Sequence, residues 1–211
     1  MTERLTDALA QFPATEKILL HACCGPCLAF PARQLLNEGR LFLAWFHNPN
    51  IHPAAEHKRR LDGFWAITQQ YGIEAEADSV SDPDPWVSWT GTSSDRCTMC
   101  YERRLSAVAR ETARRGLAGF TTTLLISPWQ QYDAIVAIAH EAARKQGVQF
   151  LERDWRLFYR EGQQLARETG IYRQRFCGCW PSVEQSTFKD KIKRELSALS
   201  ASPESSDNGH R

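Results

Sequence analysis

The sequence is short of the features that would take it out of the ordinary globular class. Glycine and proline number only 12 and 10 among 211 residues, well below the content of collagen-like or low-complexity chains. Long apolar runs are also missing. The longest, Leu41–Phe46 and Ala134–Ala139, fall far short of the roughly 20 residues needed to cross a bilayer, so no membrane partner is expected. Met1-Thr-Glu-Arg-Leu-Thr-Asp7 has no basic segment leading into an apolar one, so no secretory signal is expected and a reducing cytoplasm is the expected compartment. Net charge is nearly absent, 26 Lys+Arg against 25 Asp+Glu. That excludes a surface that is basic all over, and any nucleic-acid site must be a local patch. Candidate patches are Lys58-Arg59-Arg60, Arg103-Arg104, Arg114-Arg115, Arg173 with Arg175, and the run from Lys189 to Arg194. With 42% hydrophobic and 24% charged residues, the chain can bury a core without disulfides, as a single domain over 1–199. Residues 200–211 are almost free of apolar side chains and are expected to be a disordered tail.

Short apolar runs alternate with longer amphipathic segments, the pattern of βαβ units. Strands are expected at 17–22, 41–47, 73–77, 119–125 and 148–151. Helices are expected at 28–37, 53–71, 95–115, 130–146, 161–169 and 182–199, with the segment Asp82–Trp86 a loop because of its two prolines. Parallel neighbours need crossover connections. The expected fold is therefore α/β: a Rossmann-like three-layer sandwich around a mostly parallel five-stranded sheet, of the nucleotide alpha-hydrolase-like kind.

Seven cysteines fall in three tight groups: Cys23, Cys24 and Cys27; Cys97 and Cys100; Cys177 and Cys179. Cysteines used as small core hydrophobes would be scattered, and an odd number in a reducing compartment does not make a disulfide framework. Metal or redox chemistry remains. The first group begins where strand one ends, the place where doubly wound sheets bind their ligands. Spacing of i and i+3 puts Cys97 and Cys100 on one helical face near its positive end, where thiolates are favoured. One tetrahedral zinc would use four ligands and leave three thiols over, whereas an iron-sulfur cluster with a second iron or a redox dithiol uses nearly all of them.

Five segments, in order, resemble one known family. They are Leu19-Leu-His-Ala-Cys-Cys-Gly-Pro-Cys27, Asn48-Pro-Asn-Ile-His-Pro53, Asp95-Arg-Cys-Thr-Met-Cys-Tyr-Glu-Arg-Arg-Leu105, Thr121-Thr-Thr-Leu-Leu-Ile-Ser-Pro128 and Tyr172-Arg-Gln-Arg-Phe-Cys-Gly-Cys179. Between about Ile18 and Ser182 the chain resembles the QueH family of epoxyqueuosine reductases. The resemblance implies a cobalamin-independent oxidoreductase acting in the last step of queuosine formation. The epoxycyclopentanediol of epoxyqueuosine, at the anticodon wobble position of tRNA, becomes the cyclopentenediol and water is released. It further implies a [4Fe-4S] cluster on Cys23, Cys24, Cys97 and Cys100. A second redox element would lie at Cys177 and Cys179, which with Cys27 are candidates for a second, mononuclear iron; Cys177 and Cys179 could instead form a redox-active disulfide. An unidentified electron donor is required. The chain departs from the family pattern at Asp154-Trp-Arg-Leu157, where Asp-Phe-Lys-Lys is expected, and at Phe176, where tyrosine is common.

Opening an epoxide to an alkene needs two electrons, two protons and somewhere for the oxygen to go. Asp95, Asp154, His21 and His52 are candidate acids, Asp154 also a candidate iron ligand and Asp95 also a candidate N-cap. A single-stranded anticodon loop is read by stacking on aromatics and by cationic contacts to phosphate. Trp86, Trp89, Tyr101, Trp129 and Trp180 lie beside the cysteine segments, with one or two expected at the surface. Arg173 and Arg175 are the expected phosphate contacts, and His47, Asn48 and Asn50 are expected to line the substrate pocket. Rival readings are an ATP-pyrophosphatase-like tRNA-modifying enzyme, a zinc-binding RNA-interaction module and a general thiol oxidoreductase. Against the first, Ala22-Cys-Cys-Gly-Pro-Cys27 lacks the serine-rich loop a phosphate cradle would need.

Overall fold

The computed structural model describes residues 15–78 and 80–201. Five strands, β1 (Ile18–Ala22), β2 (Phe42–Phe46), β3 (Ala75–Ala77), β4 (Gly119–Thr122) and β5 (Gln149–Phe150), form one sheet in the order β3-β2-β1-β4-β5. Every pairing is parallel. In the centre Ile18 faces Phe42 on one side and Gly119 on the other. All residues of β1, β2 and β4 are buried, as expected for parallel strands covered on both faces, which read as continuous apolar runs rather than alternating ones.

The eight α-helices of the described residues are α1 (Gly25–Asn37), α2 (Ala54–Tyr71), α3 (Asp84–Val87), α4 (Ser93–Arg114), α5 (Tyr132–Gln146), α6 (Tyr159–Glu168), α7 (Trp180–Glu184) and α8 (Lys189–Ala201). Right-handed crossovers put α1 and α2 on one face of the sheet and α4 and α5 on the other. Packing agrees: α1 lies against α2 and α6, and α4 lies against α5. The chain leaves β1 towards β2 but enters β4 from the far side, so the C-terminal ends of β1 and β4 make the switch point of the sheet, where ligands bind in such folds. None of the described helices is long and apolar enough to cross a membrane.

The expected three-layer α/β sandwich is the fold observed, with local differences that matter for the site. Helix α1 starts at Gly25 rather than Leu28, because Cys24 caps it and Pro26 occupies the first turn, where a missing N–H costs nothing. Strand β4 stops at Thr122 instead of Leu125, and Thr123–Ile126 turn into a buried 3-10 helix capped by the Thr122 hydroxyl, which accepts from the Leu124 N–H at 3.2 Å. A fully buried apolar run has no period to separate strand from helix. The expected loop at Asp82–Trp86 contains α3, which buries Trp86 completely. The expected single helix over 182–199 is two, α7 and α8, folded around a small core of Phe176, Val183, Ile192 and Leu196. Helix α8 continues to Ala201, two residues into the expected tail; 202–211 lie outside the described residues.

Candidate metal centre

The early start of α1 decides the first thiol group. With Cys24 as N-cap, its sulfur accepts the Cys27 N–H at 3.4 Å, and Cys27 turns back onto the end of β1. The sulfurs of Cys23, Cys24 and Cys27 all lie within 4.8 Å of one another, and Cys23 and Cys24 are 3.8 Å apart. Thr123, brought over by the 3-10 turn, clasps Cys23. Its hydroxyl donates to the Cys23 sulfur at 3.3 Å and accepts the Cys23 N–H at 3.0 Å. From the late cysteine segment, the Gln174 side-chain amide donates to Cys24 Sγ at 2.8 Å.

These donors set the charge. Hydrogen bonds from Cys24 and Cys27 hold the Cys23 thiol well below its ordinary range, with the Arg104 guanidinium adding to the effect. Burial pushes Cys24 well above it, and hydrogen bonding to Cys23 and Cys24 raises Cys27. Metal ligation takes the thiolate form of each cysteine, so binding at the trio would release protons. Three sulfurs at a helix start, two buried and that of Cys23 half-buried, with O–H and N–H donors aimed at them, fit a soft-metal or iron-sulfur centre. Among the described residues this is the one group of three or more such donors that comes together so closely.

The other four cysteines gather on the neighbouring side. Cys97 is half-buried and Cys100 buried on the first turns of α4. Cys100 and Cys179 pack together against Trp86, and the charges of Cys177 and Cys179 act on both Cys97 and Cys100. Burial raises Cys97 and pushes Cys100 up to about 12. Cys177 is exposed, with its sulfur 3.7 Å from the Gln130 amide. Arg104, itself buried, donates to Asn48 Oδ1; its charge helps to lower Cys23 and opposes the burial effect at Cys100, so it acts on both thiol groups.

The carboxylates expected as acids have other partners. Asp95 is exposed, and the α4 N-cap is Thr92 instead: the Thr92 hydroxyl accepts the Asp95 N–H at 3.2 Å and donates to the Asp95 carboxylate at 2.7 Å. Asp154 grips Arg156 through both oxygens, at 2.8 and 2.6 Å. His21 is fully buried and neutral. Its Nε2–H donates to the His47 carbonyl at 3.0 Å, its Nδ1 accepts from the Thr122 hydroxyl at 2.8 Å, and burial pushes its pKa down to about 3. His52 is spent likewise, donating from Nδ1 to the Asn50 carbonyl and accepting the Trp180 N–H at Nε2.

The residues expected to line the substrate pocket are buried in the frame of the site. His47 pairs with Asp78 at 2.6 Å, and the Asn48 amide donates to the Ala22 carbonyl at 2.9 Å. Asn50 is 1% exposed. Arg173 and Arg175 are at the surface, lining a cleft of about 520 Å³ with Arg59, Tyr172, Gln174 and Glu195. Of the five aromatics, Trp129 alone is exposed, Trp86 and Tyr101 are buried, and Trp89 and Trp180 are half-buried.

Sequence reasoning missed Thr123 and Gln174 as parts of the site, and offered Arg60 and Arg104 only as surface patches, whereas both are buried, Arg60 donating to the Phe176 and Cys177 carbonyls. For Arg104 a signal existed, since Cys97, Cys100 and Arg104 stand at i, i+3 and i+7 on one helix face. Glu56 and Arg60, at i and i+4, carried a similar one.

The sequence pattern of the family described as epoxyqueuosine reductase QueH matches residues 18–185. Curated relatives named epoxyqueuosine reductase QueH include one from Dehalococcoides mccartyi, 31% identical over 77% of this chain and 90% of the relative. Another, from Haemophilus influenzae, is 31% identical over 81% of this chain and 73% of the relative. A third, from Thermotoga maritima, is 31% identical over 77% of this chain and 88% of the relative. Among solved structures, the U34-tRNA thiolase NcsA from Methanococcus maripaludis with its [4Fe-4S] cluster is similar at a TM-score of 0.49 and 16% identity, covering 94% of this chain and 73% of that one. Matched across all three cysteine groups and the segments between them, the chain belongs to the QueH family of epoxyqueuosine reductases.

Proposed function

We propose that the protein is the oxidoreductase that converts epoxyqueuosine to queuosine in tRNA. The observation that carries this reading is the three-thiol group at the switch point of the sheet, in a chain whose family membership runs through every cysteine segment. The reaction takes up two electrons and two protons, breaks both C–O bonds of the epoxide and releases water.

Cys23, Cys24 and Cys27 would hold an iron-sulfur cluster of the [4Fe-4S] type. A cluster of that type takes four ligands, one more than the trio offers. Cys97, Cys100, Cys177 and Cys179 would supply the further ligand and the second element, a mononuclear iron or a redox-active dithiol. When bound, such a cluster supplies electrons one at a time. Thr123 and Gln174 hold the sulfurs of Cys23 and Cys24 in place. The cleft lined by Arg173 and Arg175 opens beside Gln174 and would take the phosphates of the tRNA anticodon loop. The electron donor is external, and seven free cysteines suit a reducing cytoplasm.

Anaerobically prepared protein, supplied with a chemical reductant and tRNA bearing epoxyqueuosine, is expected to yield tRNA whose modified base has lost one oxygen, read by mass spectrometry. Unchanged tRNA, with the protein fully loaded with iron and sulfide, would overturn the reading.

A further inference from the structure

Trp129 leaves 83% of its surface exposed, an unusual place for so large an aromatic side chain. Its loop is nonetheless fixed. The Trp129 N–H donates to Ser127 Oγ at 3.3 Å. Next to it, Gln130 accepts from the Tyr101 hydroxyl at 2.7 Å and reaches Cys177 Sγ with its amide at 3.7 Å, while the Gln131 amide holds Ser94 Oγ at the start of α4. On the other side burial and then Cys27 raise the Tyr159 phenol while Trp129 and Arg173 act to lower it, so Tyr159 has all three in its surroundings. Trp129 is thus planted at the rim between the two thiol groups. The cleft of about 520 Å³ opens beside the first group, since Gln174 both lines it and donates to Cys24 Sγ.

We propose that Trp129 is a stacking platform for one unpaired base of the RNA substrate, next to the nucleotide presented to the thiol groups. The proposal rests on the tRNA-modifying reading above. Charge complementarity selects the occupant: an exposed indole on an anchored loop, at the same thiol edge as a cleft whose three arginines outnumber its one carboxylate, Glu195, matches a single strand, whose base offers a π face and whose backbone offers phosphates. A duplex would not serve, because its bases are already stacked. Stacking on Trp129 needs no particular base, so the platform grips the loop while leaving recognition of the modified nucleotide to the site itself.

The test uses the full-length protein and an unmodified anticodon stem-loop hairpin, with a blunt RNA duplex of the same length as control. Trp129→Ala is expected to weaken hairpin binding about tenfold and to raise KM for tRNA with kcat nearly unchanged. Trp129→Phe is expected to restore most of the affinity, and duplex binding is expected to be the same for all three proteins. Because the side chain is exposed, the thermal midpoint should not move. Hairpin affinity unchanged in Trp129→Ala would overturn the proposal, as would equal losses for hairpin and duplex. A variant that binds hairpin normally but is reduced more slowly by a protein electron donor would also overturn it, assigning the indole to that protein instead. If wild-type protein turns over tRNA while Trp129→Ala binds normally, only this inference fails. If the loaded wild type neither binds nor reduces tRNA, the functional reading fails with it.

Discussion

The Arg60 guanidinium donates to the main-chain carbonyl of Cys177 at 2.9 Å, joining residues 117 positions apart. Its other terminal nitrogen donates to the Phe176 carbonyl at 2.9 Å, and its Nε to Glu56 at 2.7 Å. Glu56 is fully buried and also accepts from Arg59 and Tyr172. One carboxylate on the first turn of α2 therefore anchors the whole segment from Tyr172 to Cys177.

Glu56→Gln keeps the shape and removes the charge, leaving Arg60 buried without its counter-ion. Breaking a buried pair in this way costs about 3–5 kcal/mol. The urea midpoint should fall accordingly, and Cys177 should react faster with iodoacetamide in the still-folded protein. Unchanged values of both would mean that the pair does not hold the segment.

The first thiol group should control metal content. Cys24→Ala removes a sulfur that Cys23, Cys27 and Gln174 all touch, so anaerobically prepared protein should lose most of its iron and acid-labile sulfide. Cys177→Ser should keep the sulfide, because its sulfur lies outside that trio. Full iron and sulfide in Cys24→Ala would remove the trio from the cluster.

Charge reversal at Arg173 or Arg175 should weaken tRNA binding while leaving iron content untouched. Each phosphate that is no longer neutralised should shrink the slope of log affinity against log salt by about 0.7. A slope identical to wild type in both variants would place the phosphates elsewhere.

Stability should depend on Glu111 at low pH. Hydrogen bonds from Arg114 first, and then Arg115, lower its carboxyl from 4.5 to about 2. Between those values the unfolded chain binds more protons than the native one, so the contribution of Glu111 is complete above pH 4.5 and is lost as pH falls towards 2. Because the pair with Arg114 is partly exposed, we expect about 1–2 kcal/mol rather than the full linkage value. Glu111→Gln should show that deficit in urea unfolding at pH 7 and converge on wild type near pH 2. A deficit that persists there would point to poorer packing instead.

Two glycines that face each other should respond oppositely to alanine. A Cβ on Gly25 would overlap the Gly63 carbonyl, whereas the nearest atom to a Cβ on Gly63 is 3.8 Å away. Gly25→Ala must push α1 off α2 and should cost about 3 kcal/mol. Gly63→Ala, inside α2, should be neutral or gain up to about 1 kcal/mol. Equal thermal shifts in the two variants would contradict this packing.

Local pattern was enough to read most of the framework. The apolar runs around Ile18–Ala22 and Phe42–Phe46 declared themselves as buried parallel strands, because no polar residue interrupts the first except His21, which spends both ring nitrogens internally. The clustering of seven cysteines announced metal or redox chemistry for the same reason: composition and spacing are properties of the chain before it folds.

Which thiols meet was settled only by folding. The family resemblance implied a cluster set without Cys27, although spacing grouped it with Cys23 and Cys24; capping by Cys24 starts α1 three residues earlier than expected and brings the Cys27 sulfur to those two. The strand order β3-β2-β1-β4-β5 put Thr123 against Cys23, 100 positions away, and the buried Glu56–Arg60 pair drew Cys177 in from the far end of the chain. Hydrophobic periodicity reports how each segment meets water. It carries no record of which loop ends share a sheet edge, and that edge is where the thiols, the arginines and Trp129 come together.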